Sequence, residues 1–441
     1  MSALDAAAVA VSAPASRNLH VETSRALPLI AITVAARAGS VEDPPGKEGL
    51  ARFSSRMMRR TAAGMKAQEI DTRIDSLGGS LASDVSHSTT AFNAAVIARS
   101  LEPFAALLED VLGRPGFAES ELALLRRETE SELIEMRDND RSLARRFFRQ
   151  KLFAGHPYAR PISGTIKSVR SFEGADVRAL YQRLFTRDNL VVACAGMIEG
   201  AQAEELAARL SVALPSGAAL PDTVTEPQLK SGRHLLIVDK PERTQTQILI
   251  GSRGTLPSDT DHFALHIANT VFGGTFTARM TREIRSKRGW SYGAYSSLPY
   301  DRRRQAFSMW TFPKADDAAA CVKLELELLT DWREKGITKS ELAWAKRYLV
   351  RSHAFAVDTA AKRVGLKLDA DLYDLPPGYH ENYIERLQAV TLDEANAAIR
   401  TRISSDDLLV CVVGTEAQIG SAVRDSIANL ESSEVVAFDS E

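Results

Sequence analysis

The stretch TRDNLVVACAG, residues 186–196, ends an apolar run at Gly196, and SSDDLLVCVVG, residues 404–414, ends another at Gly414, 218 residues later. In each, an aspartate (Asp188 or Asp406) precedes the closing glycine by eight residues. Each follows a helical segment, DVRALYQRLF in the first half and LDEANAAIRTRI in the second. The halves also open alike, on LPLIAITVAARAGS and TQTQILIGSRGT, an apolar-rich strand and a turn. A repeat this long signals two tandem domains rather than a solenoid.

Between the halves lies LPSGAALPDTVTEPQLKSGR, residues 214–233, with three prolines, two glycines and no helical periodicity. Such a segment reads as a linker. The expected division is therefore 18–213 for the first domain, 214–233 for the linker and 234–425 for the second. Within each half, strands alternate with long helices. In ESELALLRRETESELIEMRD, Leu122, Leu125, Thr129, Leu133 and Met136 recur with a period near 3.6. In TFTARMTREIRSKR, Phe276, Met280 and Ile284 recur every fourth residue, with Gly289 as the stop. Strands and helices without regular βαβ alternation predict two α+β domains.

Composition narrows the function classes. The 441 residues are 44% hydrophobic and 25% charged with a formal net charge of −2, a globular balance without the basic excess of a duplex-binding protein. No run of 18 apolar residues predicts a membrane span. The cysteines, Cys194, Cys321 and Cys411, are scattered and form no C-x-x-C, so buried free thiols are expected. MSALDAAAVAVSAPAS at the N-terminus has no basic start and carries Asp5, a poor signal peptide. The expected compartment is the cytoplasm by default, or the periplasm if a signal segment has been removed.

Three local patterns imitate known sites. GWSYG, residues 289–293, fits G-x-S-x-G, but a charged helix precedes Ser291 and a strand-like AYSSLP follows, the reverse of a nucleophile elbow. His262 and His266 stand four apart in DHFALHIANT, yet Phe263 and Ala264 occupy the places where a general-base Glu would stand, so a packed or surface pair is expected. FGGT, residues 272–275, reads as a turn leading into a helix. There is no G-x-G-x-x-G, Walker A loop or H-E-x-x-H.

EGLARFSSRMMRRTAAGM, residues 48–65, scans as an amphipathic helix with an arginine stripe, Arg52, Arg56, Arg59 and Arg60. With the following EIDTRIDSLGGSLAS it resembles the start of the pitrilysin-like, inverted-zinc-motif peptidases, the group of mitochondrial processing peptidase and insulin-degrading enzyme. There the helix reads roughly G-L-A-H-F-L-E-H-M, and H-x-x-E-H supplies two zinc ligands and a water-activating Glu. In this chain Arg52 and Arg56 stand at the two histidines and Ser55 at the glutamate. The family's third ligand, a Glu about 76 residues on, falls on Glu132. A guanidinium offers a metal no lone pair, so no metal site is expected here; an ion pair of Arg52 or Arg56 with Glu132 would fill the volume.

MTREIRSKRGWSYGAYSSLPY, residues 280–300, resembles the family's C-terminal-domain signature, an Arg and, seven residues later, a Tyr, here Arg285 and Tyr292. The resemblance extends from about residue 18 to about residue 420, through LPPGYHENYIERLQAVTLDEAN and the two repeated strands. It implies two homologous α+β domains, each a mostly antiparallel sheet packed with helices. It also implies a chain without zinc of its own, paired as a heterodimer with a homologous H-x-x-E-H-bearing, zinc-binding subunit of a bacterial-type peptidase. In that pairing Arg285 anchors a peptide substrate and the Tyr292 hydroxyl stabilises the tetrahedral intermediate in the partner's site. Residues 78–88, GGSLASDVSHS, correspond to the substrate-pairing edge strand. The competing expectation is a non-catalytic scaffold or assembly protein of the same descent.

Overall fold

The structure, a computed structural model, describes residues 18–441; the N-terminal segment weighed as a signal peptide, residues 1–17, lies outside them. Thirteen strands form two main sheets and one small hairpin among these residues. The first sheet contains β1 (Leu19–Thr23), β2 (Leu29–Ala36), β5 (Ser80–Val85), β6 (Thr90–Ile97) and β7 (Leu190–Gly196). The hairpin is β3 (Thr61–Ala62) with β4 (Met65–Lys66). The second sheet contains β8 (Arg233–Asp239), β9 (Gln247–Arg253), β10 (Ala294–Ser297), β11 (Ala306–Thr311), β12 (Leu408–Gly414) and β13 (Leu430–Ala437).

The strand orders are β1-β7-β2-β6-β5 and β13-β8-β12-β9-β11-β10. Apart from the added edge strand β13, the two sheets match strand for strand. In both, a parallel pair (β1 with β7, β8 with β12) joins an otherwise antiparallel run. The architecture is thus two tandem, homologous α+β domains. Residues 215–231 between them hold neither helix nor strand. β13 carries the second sheet beyond residue 425, pairing in parallel with β8.

The uninterrupted apolar runs have a two-sided cause. Side chains alternate across a strand, so a run buried on both faces reads as continuous hydrophobicity. Leu190, Val192 and Cys194 of β7 face the first core, formed with α1 (Leu50–Met58), α2 (Ala67–Ser76), α3 (Leu101–Gly113) and α4 (Glu119–Met136). Val191, Ala193 and Ala195 face the other way, onto Ala360, Val364, Leu368 and Leu372 of the Ala360–Leu372 helix. β12 repeats the arrangement. Leu408, Val410 and Val412 enter the second core, while Leu409, Cys411 and Val413 meet Leu143, Ala144, Phe147 and Phe148 of α5 (Asp140–Leu152). Each half therefore lays one helix on the other half's sheet. Each fully buried Leu, Val or Phe adds about 1.5–3 kcal/mol.

α4 spans Glu119–Met136 and buries Leu122, Leu125, Thr129 and Leu133, the periodic positions of its sequence, with Met136 partly buried. The arginine-rich segment before Tyr292 departs from the expected α-helix. It turns in π form over Thr281–Ser286, with Lys287 N–H donating to the Arg282 carbonyl. Met280 and Ile284 stay in the core, but Phe276 precedes the helix and is 57% exposed. Gly273 and Gly274 open the turn that separates this helix, which begins at Arg279, from the one before it. They end the His262–Phe272 helix, and a Cβ at Gly273 would lie 2.5 Å from the Ser296 nitrogen of β10. FGGT thus leaves one helix before the next begins. The three cysteines are buried free thiols, and burial pushes Cys194 up to about 12.

Candidate functional site

α1 is held at its start by a buried carboxylate. Asp43 accepts from the Gly49 and Ala51 backbone N–H groups at 2.8 and 2.7 Å, serving the helix's unpaired first donors. Burial pushes the Asp43 carboxyl up to about 7 against these two bonds. Gly49 adopts φ 90°, and a Cβ there would meet the Gly164 backbone at 2.6 Å. Only glycine allows this approach.

Beyond that cap, Leu50, Phe53, Met57 and Met58 enter the core, and the arginine stripe turns towards α4. Arg52 donates to Glu132 Oε2 at 3.0 Å. Arg56 forks onto the same carboxylate, with Nη1 3.0 Å from Oε2 and Nη2 2.7 Å from Oε1. Arg56 Nη1 also lies 3.3 Å from the Thr129 hydroxyl. One turn on, Arg60 pairs with Glu128 and, at 3.6 Å, with Glu121. Glu121, Glu128 and Glu132 lie on one face of α4, at intervals of seven and four residues. Partial burial works against the Glu132 charge, but the bonds from Arg56 and Arg52 outweigh it and hold the carboxyl below its ordinary value.

Ser55 is fully buried, donates to the Arg52 carbonyl at 2.9 Å and meets the Ser83 hydroxyl of β5 at 3.2 Å. Arg59 reaches the Leu81 carbonyl of β5 and Asp71 of α2. α1 is thereby tied to the edge strand on one side and to α4 on the other. The donor set does not fit zinc. Two guanidinium groups occupy the reach of Glu132, and neither they nor a hydroxyl held in helix-backbone bonding supplies a ligand lone pair to a metal there. Among the described residues, no three His, Cys, Asp or Glu side chains converge as a metal site.

Arg285 and Tyr292 stand elsewhere. The Arg285 guanidinium carbon lies 4.1 Å from the Tyr292 ring centroid and 4.3 Å from that of Phe276, a cation clamped between two aromatic faces. Tyr292 is 71% exposed, and Arg285 Nη1 is buried without an acceptor. Neither residue lines the cavity beside α1, so the chain does not bring the two parts of the signature into one pocket.

The imitations of known sites resolve structurally. Ser291 is buried, donates to the Gly293 carbonyl at 2.6 Å and accepts from Phe312 N–H, so its hydroxyl braces the turn into β10. His262 and His266 project from one helix to the hydroxyls of Tyr379 and Tyr383, at 2.8 and 3.2 Å. Burial holds both rings down to about 4.

The sequence reading missed the acidic face of α4, although the spacing of Glu121, Glu128 and Glu132 carried the signal. It also missed the arginines of α5 and Arg160. With α1 and β5 they enclose a cavity of about 640 Å³. No local pattern marks that cavity, because its walls meet only through tertiary packing.

Comparison with known proteins agrees with this architecture. Residues 22–166 match the family model "Insulinase (Peptidase family M16)", and residues 171–349 match "Peptidase M16 inactive domain". An uncharacterized zinc protease of Mycobacterium leprae is 27% identical over 367 residues, 81% of each chain. A protein of Helicobacter pylori named a non-peptidase homolog is 22% identical, over 90% of this chain and 91% of its own. The crystal structure of a peptidase M16 inactive domain from Pseudomonas fluorescens superposes with a TM-score of 0.83 at 26% identity, over 90% of this chain and 95% of that one. Among the described residues no helix is long and apolar enough to cross a membrane. With one family model on each half and a solved relative matching nine-tenths of its length, the chain belongs to the peptidase M16 (insulinase) family.

Proposed function

We propose that this chain is the non-zinc-binding subunit of a heteromeric M16 peptidase, lending Arg285 and Tyr292 to peptide hydrolysis in a homologous H-x-x-E-H-bearing partner. The division at residues 214–233 then lets the two domains form one half of the complex. The observation that carries the reading is the exposed Phe276–Arg285–Tyr292 stack, with its hydroxyl open to another molecule. The chain's own helix at the metal position is filled by the Arg52–Glu132–Arg56 cluster, and this supports a role that depends on a partner. In this role the stacked Arg285 holds the peptide and the Tyr292 hydroxyl donates to the developing oxyanion. The zinc of the assembly belongs to the partner.

Tyr292→Phe keeps the ring that clamps Arg285 and removes only the donor. In the assembled complex it should lower kcat by about 10²-fold or more with little change in KM, the usual cost of losing one oxyanion donor. Undiminished turnover in an intact complex would favour the scaffold reading, for which the Helicobacter pylori relative's name gives some support.

A further inference from the structure

The cavity of about 640 Å³ beside α1 is short of negative charge. Seven arginines line it: Arg52 and Arg56 of α1 with Arg59 at its C-terminal cap, three from α5, and Arg160. The lining contains a single carboxylate, Asp84. Those of α1 are answered by Glu132, Glu128 and Asp71. Among the described residues the other four are in no ion pair. Arg146 donates to the Ser440 carbonyl at 3.1 Å, Arg149 to Gln305 Oε1 at 3.0 Å and Arg160 to the Asp43 carbonyl at 2.7 Å. Among the described residues, Arg145 meets no acceptor at all. Glu441, Asp301 and Asp43 lie near Arg146, Arg149 and Arg160 respectively but beyond ion-pair contact. Burial pushes Arg146 and Arg149 below their ordinary values, and partial desolvation with Arg141 nearby does the same at the more exposed Arg145. Clustered guanidinium groups without counter-charges repel one another and favour an incoming anion.

The shape of the cavity selects among anions. Ala82, Ser83, Asp84 and Val85 of β5 form one wall. Among the described residues β5 pairs with no strand but β6, and apart from the Leu81 carbonyl, which Arg59 holds, its outer edge is open to an added strand. A free oxyanion would use the arginines and leave that edge bare.

We propose that the cavity selects for acidic side chains in an extended peptide laid along β5, the edge strand that the family resemblance already assigns to substrate, with a carboxylate seated between Arg145, Arg149 and Arg160. This names a substrate class for the peptide-handling role proposed above and rests on it only for the peptide. The charge complement belongs to this chain alone and requires no partner zinc.

The test uses the isolated full chain and three labelled nonapeptides that alternate Val or Thr with Glu, with Gln or with Lys, followed by fluorescence anisotropy. The Glu peptide should bind at least about tenfold more tightly than the Gln peptide. The Lys peptide should bind most weakly, and the Glu preference should shrink with salt. Arg145→Gln, at an exposed position, should erase most of that preference. Arg149→Gln should do the same where its thermal melt matches the parent chain. Equal binding of Glu and Gln peptides, or a preference that survives Arg145→Gln in a folded chain, overturns the proposal. Displacement of the Glu peptide by micromolar inorganic phosphate also overturns it, in favour of a small-oxyanion site. Because no turnover is measured, these outcomes are independent of the Tyr292→Phe result.

Discussion

Arg52 and Arg56 project from successive turns of α1 to a single carboxylate, so Glu132 balances two charges at once. The cluster is partly exposed, with Arg56 at 23% and Glu132 at 39% side-chain exposure, so solvent screens much of its Coulomb energy. Glu132→Gln should therefore cost about 1–2 kcal/mol at neutral pH, mainly by leaving two guanidinium groups facing each other. The pH dependence follows from the direction of the shift. The folded Glu132 carboxyl lies below its ordinary 4.5, so its stabilisation is present above that value and is lost as pH falls towards the folded one. The gap in melting temperature between parent and Glu132→Gln should hold from pH 7 to 5 and close on further acidification; a gap that widens in acid would refute the pairing. A second variant tests the position itself. Arg52→His, Ser55→Glu and Arg56→His together restore H-x-x-E-H opposite Glu132, and the folded triple variant should take up close to one zinc per chain by elemental analysis while the parent takes up none there. A folded triple variant without zinc would show that Glu132 is not placed as a third ligand.

The strands and helices differ in how far their sequences announce them. β2 and β9, which start at Leu29 and Gln247, and β7 and β12, which start at Leu190 and Leu408, all keep the 218-residue offset of the repeat. Their apolar runs and closing glycines are local features, visible without coordinates. α4 is visible for the same reason, since its buried residues keep a 3.6-residue period. Three features depend on distant residues and left no such trace. The period of α5 identifies a buried face but not that the sheet beneath it belongs to the other half. The every-fourth spacing of Phe276, Met280 and Ile284 holds in sequence, while the helix begins only at Arg279 and leaves Phe276 outside. The open edge of β5 depends on which strand is missing beside it. Around the site, the replaced motif was legible residue by residue, and the spacing of Glu128 on α4 carried a signal of its own, whereas Arg145 and Arg149 needed the tertiary placement of α5 across the cavity from α1. The exchanged helices carry a measurable energy. Phe148 is buried against the second sheet, where a Cβ on Gly251 would come within 2.7 Å of its ring. Phe148→Ala should cost about 3–5 kcal/mol and Leu368→Ala, on the opposite exchange, about 2–5 kcal/mol, in chemical unfolding. A loss below about 1 kcal/mol at either position would mean that its helix contributes little to holding the fold.

At the scale of the whole molecule, the exchange decides what the connecting segment is for. Two domains that merely abut depend on their linker to stay together, and their shared surface resembles a transient interface. Here α5 lies on β9 and β12, and the Ala360–Leu372 helix lies on β1 and β7, so each half completes the other's buried layer. The ties extend further, as Lys240 of the second half bonds Asp140 at 2.7 Å and Arg302 donates to the Arg37 carbonyl at 3.0 Å. Residues 215–231, mostly exposed and without regular structure, then act as a strap over an interface already closed by packing. A site-specific protease sequence inserted between the exposed Ala218 and Ala219 should be cut readily, since no helix or strand is broken there. After cleavage the two fragments should co-elute in gel filtration at the size of the intact chain and melt in one cooperative transition. Fragments that separate, or melt in two steps, would show that the helices cross without sealing the halves. The outcome also bears on Arg285 and Tyr292, because a rigidly fused second domain presents its exposed stack at a fixed distance and angle from α1, as a subunit that serves another chain's site requires.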